Sequence, residues 1–223
     1  MGTELAIGII DSGFAPEQAA RVTLARRFWL EGGELQEGEA QPDALGHGPL
    51  VLDAICPPSA PVRTCMAQVF GERWQTSPLQ VAAALYWLAE QGVALINMSL
   101  GLRNDRPVLR EACALVQSAG VLLCASSPAQ GAAVYPAGYP GVIRITGEAR
   151  CAPGQWSWLG SPQADFGAHV SAANGVAGAS MACAALSGII AAHLREHPGA
   201  GREAVLRWLH EGAAFTGPER RHG

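Results

Sequence analysis

No block of like charge, no Cys-x-x-Cys and no apolar run of membrane-spanning length occurs in these 223 residues. Each absence removes a class. Charged residues make up only 15% of the chain and the net charge is −4 without clustering, so neither nucleic acid nor an anionic membrane is an implied partner. The apolar stretches fall short of the roughly 18–20 residues that a membrane span needs. No Gly-x-Gly-x-x-Gly follows the first apolar run, which counts against a nucleotide-binding doubly wound domain. Acidic residues are sparse and scattered, so no oxygen-rich calcium loop is expected and no metal or cofactor is assigned. The N-terminus lacks a basic region followed by an h-region and a cleavage site. The first strand is therefore expected to start almost at Met1, and the chain to work in the cytoplasm.

Cysteine is present but unpatterned. Cys56, Cys65, Cys113, Cys124, Cys151 and Cys183 form neither a compact disulfide framework nor a zinc signature, and read as small buried thiols of a reducing compartment. An apolar content of 49% over this length suffices for one large core, and no linker divides it. The expected organisation is a single domain over residues 1–216 with a polar tail over 217–223.

What is there is an alternation of strands and helices. Leu5–Ile10, Met66–Phe70, Val93–Met98, Val121–Ala125 and Val142–Thr146 are nearly unbroken apolar runs, as expected for parallel strands buried on both faces. Ser77-Pro78-Leu79-Gln80 supplies an N-cap, a first-turn proline and a capping-box glutamine for a helix that stops at Gly92. A second helix opens near Pro107, places Leu109, Ala112, Leu115 and Val116 on one face, and stops at Gly120. A third runs from Ser180 to about His197 and a fourth over roughly Arg202–Glu211. The pattern predicts an α/β fold of three layers, a mainly parallel sheet flanked by helices, with functional groups at the carboxyl ends of strands.

Three short glycine-bearing runs carry chemistry: Ile-Gly-Ile-Ile-Asp-Ser-Gly ending at Gly13, Gly-His-Gly at 46–48, and Gly-Ala-Ser-Met-Ala at 178–182. A serine hydroxyl is a weak nucleophile unless a base adjoins it. Ser180 at a helix start sits where the helix dipole favours negative charge, His47 is placed to take its proton, and Asp11 would fix the imidazole tautomer. Taken singly, each has a plain structural reading: a turn-forming Asp, a loop, an N-cap. His169, His193, His197, His210 and His222 lack the glycine context of His47; His169 lies in a strand-like run, His193 on a helix face and the others in polar surroundings.

The order Asp, His, Ser differs from the α/β-hydrolase and trypsin-like orders and matches that of subtilisin. With Ile96-Asn97-Met98-Ser99-Leu100-Gly101 and Tyr135-Pro136-Ala137-Gly138-Tyr139-Pro140, the chain resembles the subtilisin-like serine protease family over nearly its whole length. The resemblance implies a catalytic triad of Asp11, His47 and Ser180. It implies substrate binding as an added strand on Ser99, Leu100 and Gly101, with Ser126, Ser127 and Pro128 as the opposite wall of the first specificity pocket and Val134 at its base.

Departures accompany the matches. The family's oxyanion asparagine aligns with Ala129, which has no donor side chain; a one-residue slip brings in Gln130, and Ser126 or Ser127 are weaker substitutes, beside Ser180 itself. Loss of such a donor costs about 10²–10³ in turnover. Gly48 is followed by Pro49-Leu50 where the family has polar residues, and Ala179 and Ala184 replace a threonine and a helix proline. These features, with the absence of a leading inhibitory segment, resemble the compact subtilisin-like enzymes of peptide-modification systems, such as the maturation protease of the quinohemoprotein amine dehydrogenase system. The implied role is limited processing of a peptide or protein substrate, with a post-translationally modified precursor and its modifying enzyme as partners. The alternative is a pseudoprotease that only binds peptides.

Overall fold

A computed structural model describes residues 4–57, 62–170 and 178–217; His222 and residues 218–223 of the expected tail lie outside them. The first strand, β1 (Ala6–Asp11), is buried throughout, and its side chains alternate between two cores. Ile7 and Ile9 point to one, Ala6 and Ile10 to the other. Gly8 lies against Leu88 and Ile96: a Cβ there would fall 3.0 Å from both side chains. β1 is thus the middle of the fold, parallel to β4 (Arg63–Gln68) on one side and to β5 (Leu95–Met98) on the other.

The ten-stranded sheet has the order β10-β8-β9-β7-β6-β5-β1-β4-β2-β3. Here β2 is Leu24–Glu31, β3 Glu34–Gly38, β6 Leu122–Ser126, β7 Ile143–Gly147, β8 Trp156–Trp158, β9 Phe166–Ala168 and β10 Phe215–Thr216. Pairing is parallel except between β2 and β3 and between β8 and β9. Helices cover both faces, as the mainly parallel sheet requires. On one face, α2 (Pro78–Glu90) and α3 (Pro107–Ser118) bury Val81, Leu85, Leu88, Leu109 and Val116. On the other, α1 (His47–Ile55), α4 (Ala179–Glu196) and α5 (Arg202–Glu211) bury Leu52, Leu186, Ile190 and Leu209. Helices α1 and α4 touch main chain to main chain: a Cβ on Gly188 would lie 2.7 Å from the Ala54 carbonyl oxygen and 3.0 Å from that of Ile55.

Helix ends follow their expected signals. The Ser77 hydroxyl accepts from the Gln80 N–H at 3.2 Å, and the Gln80 side chain accepts from the Ser77 N–H at 3.1 Å. Gly92 and Gly120 follow α2 and α3 in the left-handed region, at φ +71° and +89°. Elsewhere the structure corrects the expectations. Leu115 is 60% exposed, and Cys113 takes the inward position instead. The strand expected at Met66–Phe70 runs Arg63–Gln68, because its partner β1 pairs Ala6 with Arg63 and Asp11 with Gln68. Backbone pairing, not hydropathy, sets those ends. His197 stacks on His193, and His210 packs edge-on against Trp158, so neither surrounding is simply polar. His169 lies just past β9, where its Nδ1 meets the Cys151 carbonyl at 2.8 Å. All six cysteines are buried and unpaired, and burial pushes the Cys113 and Cys124 thiols up to about 12. Cys183 lies in the core rather than at an open site. Among the described residues no helix is long and apolar enough to cross a membrane.

Candidate functional site

Where β1 ends, the chain turns through Ser12 and Gly13, and Asp11 is left buried at 1% exposure. One carboxylate oxygen, Oδ1, accepts from the Ser12 N–H (2.7 Å), the Ser12 hydroxyl (3.1 Å) and His47 Nδ1 (2.8 Å). The other, Oδ2, is buried without a partner among the described residues. Gln68, in register with Asp11 on β4, donates to the Ser12 carbonyl at 2.7 Å and accepts from the Gln41 N–H at 2.8 Å. The aspartate is therefore held directly by Ser12 and His47, and the Gln68 side chain ties the turn that follows it to the segment at Gln41.

Gly-His-Gly is a helix start, not a loop. Gly46 takes the left-handed conformation at φ +74° and caps α1, whose first residue is His47. The Gly48 N–H donates to the Ser12 hydroxyl at 2.9 Å, and a Cβ on Gly48 would collide with the Gly13 carbonyl. The glycine is what lets α1 approach β1 closely enough for His47 to reach Asp11. Pro49 in the first turn is compatible with this, since early helix positions need no N–H partner.

A carboxylate only accepts hydrogen bonds, so the 2.8 Å contact assigns the proton to His47 Nδ1 and leaves the Nε2 lone pair available. Burial pulls the imidazole pKa down, but the hydrogen bond to Asp11 and the charges of Asp11 and Asp43 outweigh it. The net effect is a pKa above the ordinary 6.5. Trp74 stands edge-on over the ring with centroids 5.3 Å apart, and is itself 59% exposed.

Ser180 is the second residue of α4, preceded by Gly178 at φ +130°. Its hydroxyl donates to the Ser99 carbonyl at 3.0 Å, while the Ser99 hydroxyl donates to the Ser180 carbonyl at 2.9 Å. Among the described residues no hydrogen bond joins the Ser180 hydroxyl to His47. Behind the pair lies Asn97, fully buried in β5. Its amide donates to the Ser99 hydroxyl at 3.0 Å, and its oxygen accepts from Ser187 at 2.9 Å and Cys183 at 3.2 Å. Asn97 has no role in the sequence reading; the available signal was a polar amide inside an otherwise apolar strand.

His47, Ser180, Ser99, Leu100 and Gly101 line one cleft of about 990 Å³. Asp11 lies beneath it through His47. Of the residues expected as the other wall and the base, Ser126 and Val134 abut the 99–101 segment. Ser126 donates to the Leu100 carbonyl at 3.2 Å, and Ser127 donates to the Gln163 carbonyl at 2.6 Å. Val134 presses on Gly101, with its Cγ2 3.0 Å from where a Cβ would stand, and with Ser127 lines a separate recess of about 150 Å³. Pro128 and the exposed Gln130 line neither cavity. Gln130 is exposed, and the Ser126 and Ser127 hydroxyls are engaged by main-chain carbonyls. The physical reason is local: the loop after β6 is tied by Ser127 to the 161–165 turn, which carries Gln130 outward. What faces the cleft instead is the first turn of α4, whose main-chain N–H groups lack helical partners. Among the described residues no cluster of three or more His, Cys, Asp or Glu is placed to hold a metal.

Comparison with known proteins finds similarity in sequence and in fold. The halolysin-like extracellular serine protease Nep of Natrialba magadii is 30% identical over 166 residues, covering 68% of this chain and 30% of that protein. The chain thus spans less than a third of that relative's length. The structure of the S41 psychrophilic protease superposes with a TM-score of 0.72 at 19% identity, covering 93% of this chain and 82% of that one. No protein-family model matches the chain.

Proposed function

Because the chain belongs to the subtilisin-like serine protease family, we propose that it is a serine endopeptidase with Asp11, His47 and Ser180 as its catalytic residues. The observation that carries this reading is the Asp11–His47 hydrogen bond at the floor of a cleft that also exposes Ser180 at a helix start. On it, the Ser180 hydroxyl leaves the Ser99 carbonyl by rotation about χ1 and gives its proton to His47 Nε2 as its oxygen attacks the substrate carbonyl. His47, now charged and paired with Asp11, returns the proton to the departing amine. The developing oxyanion is met by the Ser180 main-chain N–H at the positive end of α4.

The finer reading is limited processing, such as removal of a leader from one peptide or protein substrate, within the cytoplasm. The exposed position of Gln130 and the engagement of Ser127 with the Gln163 carbonyl support it, because an active centre with few side-chain oxyanion donors among its described residues favours a substrate that positions itself well over indiscriminate digestion. Six buried, unpaired thiols fit a reducing compartment. A modified precursor and its modifying enzyme are the partners this role implies.

The Ser180 hydroxyl bonded to Ser99 rather than to His47 favours one competing reading, a peptide-binding pseudoprotease. A fluorophosphonate probe separates the two. The protease reading expects covalent labelling that vanishes in Ser180→Ala; an unlabelled, well-folded chain would establish the binder.

A further inference from the structure

The cleft does not end at the catalytic pair. Past His47 and Trp74 it continues to β2, where Arg27 and Trp29 line it, and it borders a second recess of about 670 Å³ lined by Arg27 and Arg73. Arg27 is partly buried, with its guanidinium 5.1 Å from the centroid of the Trp29 ring. A Cβ on Gly71 would stand 3.3 Å from Arg27 Nη2, so the guanidinium adjoins Gly71, which lines both the cleft and the recess. Among the described residues neither Arg27 nor Arg73 forms an ion pair, in contrast to the neighbouring Arg26, which pairs with Glu37. Glu72 also lines the recess and pairs with neither. A guanidinium fixed on an indole, unneutralised and facing a groove, is built to take a planar anion.

We propose that Arg27, assisted by Arg73, is a specificity-determining residue that binds an aspartate or glutamate carboxylate of the peptide substrate. The inference rests on the endopeptidase reading for its substrate, but the charge preference itself is a property of binding. Register sets its place. Arg27 pairs with Gln68, and Gln68 pairs with Asp11, so Arg27 lies two strand spacings, about 10 Å, from the aspartate beneath His47. An extended peptide advances about 3.3 Å per residue, which puts the acidic side chain about three residues from the one over His47.

The test uses fluorescent peptides that differ only in carrying Glu, Gln or Lys at that distance from the cut, measured in two ways. Binding is read by anisotropy on Ser180→Ala, which needs no catalysis; cleavage is read on the unaltered chain. The expected result is that the Glu peptide binds about five- to tenfold more tightly than the Gln peptide at low salt. The ratio should shrink as ionic strength rises, since a partly exposed ion pair is screened. Arg27→Gln should bring the ratio to about one, and Arg27→Glu should reverse the preference towards the Lys peptide, a gain that misfolding cannot mimic. Equal binding of the Glu and Gln peptides by Ser180→Ala, or a Glu preference untouched by Arg27→Glu, would overturn the proposal. Charge-selective binding without any cleavage would uphold it while removing the endopeptidase reading.

Discussion

Ser180 and Ser99 hold each other twice: the hydroxyl of each donates to the main-chain carbonyl of the other, at 3.0 and 2.9 Å. The first turn of α4 is thereby fastened to the end of β5, and on the proposed mechanism Ser180 rests in a bond it must leave before reacting. The fastening is directional. In that mechanism the bond from Ser99 can persist through the reaction, while the bond from Ser180 would be exchanged for one to His47.

Asn97 orients this pair, and its replacement should be felt in two measurements. In Asn97→Ala the Ser99 hydroxyl loses its donor, and the Ser187 and Cys183 donors lose their acceptor in a fully buried site. Leaving buried polar groups unpaired costs about 1–3 kcal/mol each, so the melting temperature should fall by several degrees. Fluorophosphonate labelling of the folded fraction should slow more than peptide binding weakens. An unchanged labelling rate in a destabilised protein would mean that Asn97 serves packing alone.

The acidic limb of kcat/KM should lie above pH 6.5. His47 acts as a base only when neutral, and although burial lowers its pKa, Asp11 and Asp43 raise it further. Activity should therefore climb as pH rises through that elevated value. Stability runs the other way: the pairing of protonated His47 with Asp11 contributes fully below the unfolded value near 6.5 and is lost as pH rises through the folded one. In Asp43→Asn the limb should move towards lower pH while the Asp11 hydrogen bond remains. A pH profile indifferent to Asp43 would contradict this account.

Side-chain size at the cut should be governed by Val134. It presses on Gly101, one wall of the cleft, from the recess it shares with Ser127. The expectation is preferred cleavage after small residues, with Val134→Gly extending acceptance to Phe and Leu. Profiling both forms on a peptide library decides it. Preferential cleavage after large aromatic residues by the unaltered chain would show that Val134 does not limit the pocket.

Much of the fold was legible because its strands are buried on both faces and its helices carry explicit caps. Ser77, Gln80, Gly92 and Gly120 do in the structure what their positions imply. The β2–β3 hairpin was not legible: Leu24, Leu30 and Leu35 are exposed, and charges interrupt any alternation. Helix α1 was missed because Gly46, Gly48 and Pro49 are loop formers by propensity, and only contact with Gly13 explains them. The residues brought together around His47 came from motifs that keep their glycines. The position of the 126–128 segment was not legible because it depends on where a loop is tied, and the tie is a Ser127 hydroxyl bonded to a carbonyl 36 residues away.

The main-chain contact at Gly188 reaches further than its place in the core suggests. His47 opens α1 and Ser180 is the second residue of α4, and the two helices meet where Gly188 rests on Ala54 and Ile55. Ser180 lies eight residues along α4 from that point, about 12 Å at helical rise. A single methyl group at Gly188 would meet the Ala54 carbonyl at 2.7 Å and force the two helices to shift against each other. The residues that begin α1 and α4 are thus linked, through their helices, to a position that no inspection of the cleft would single out.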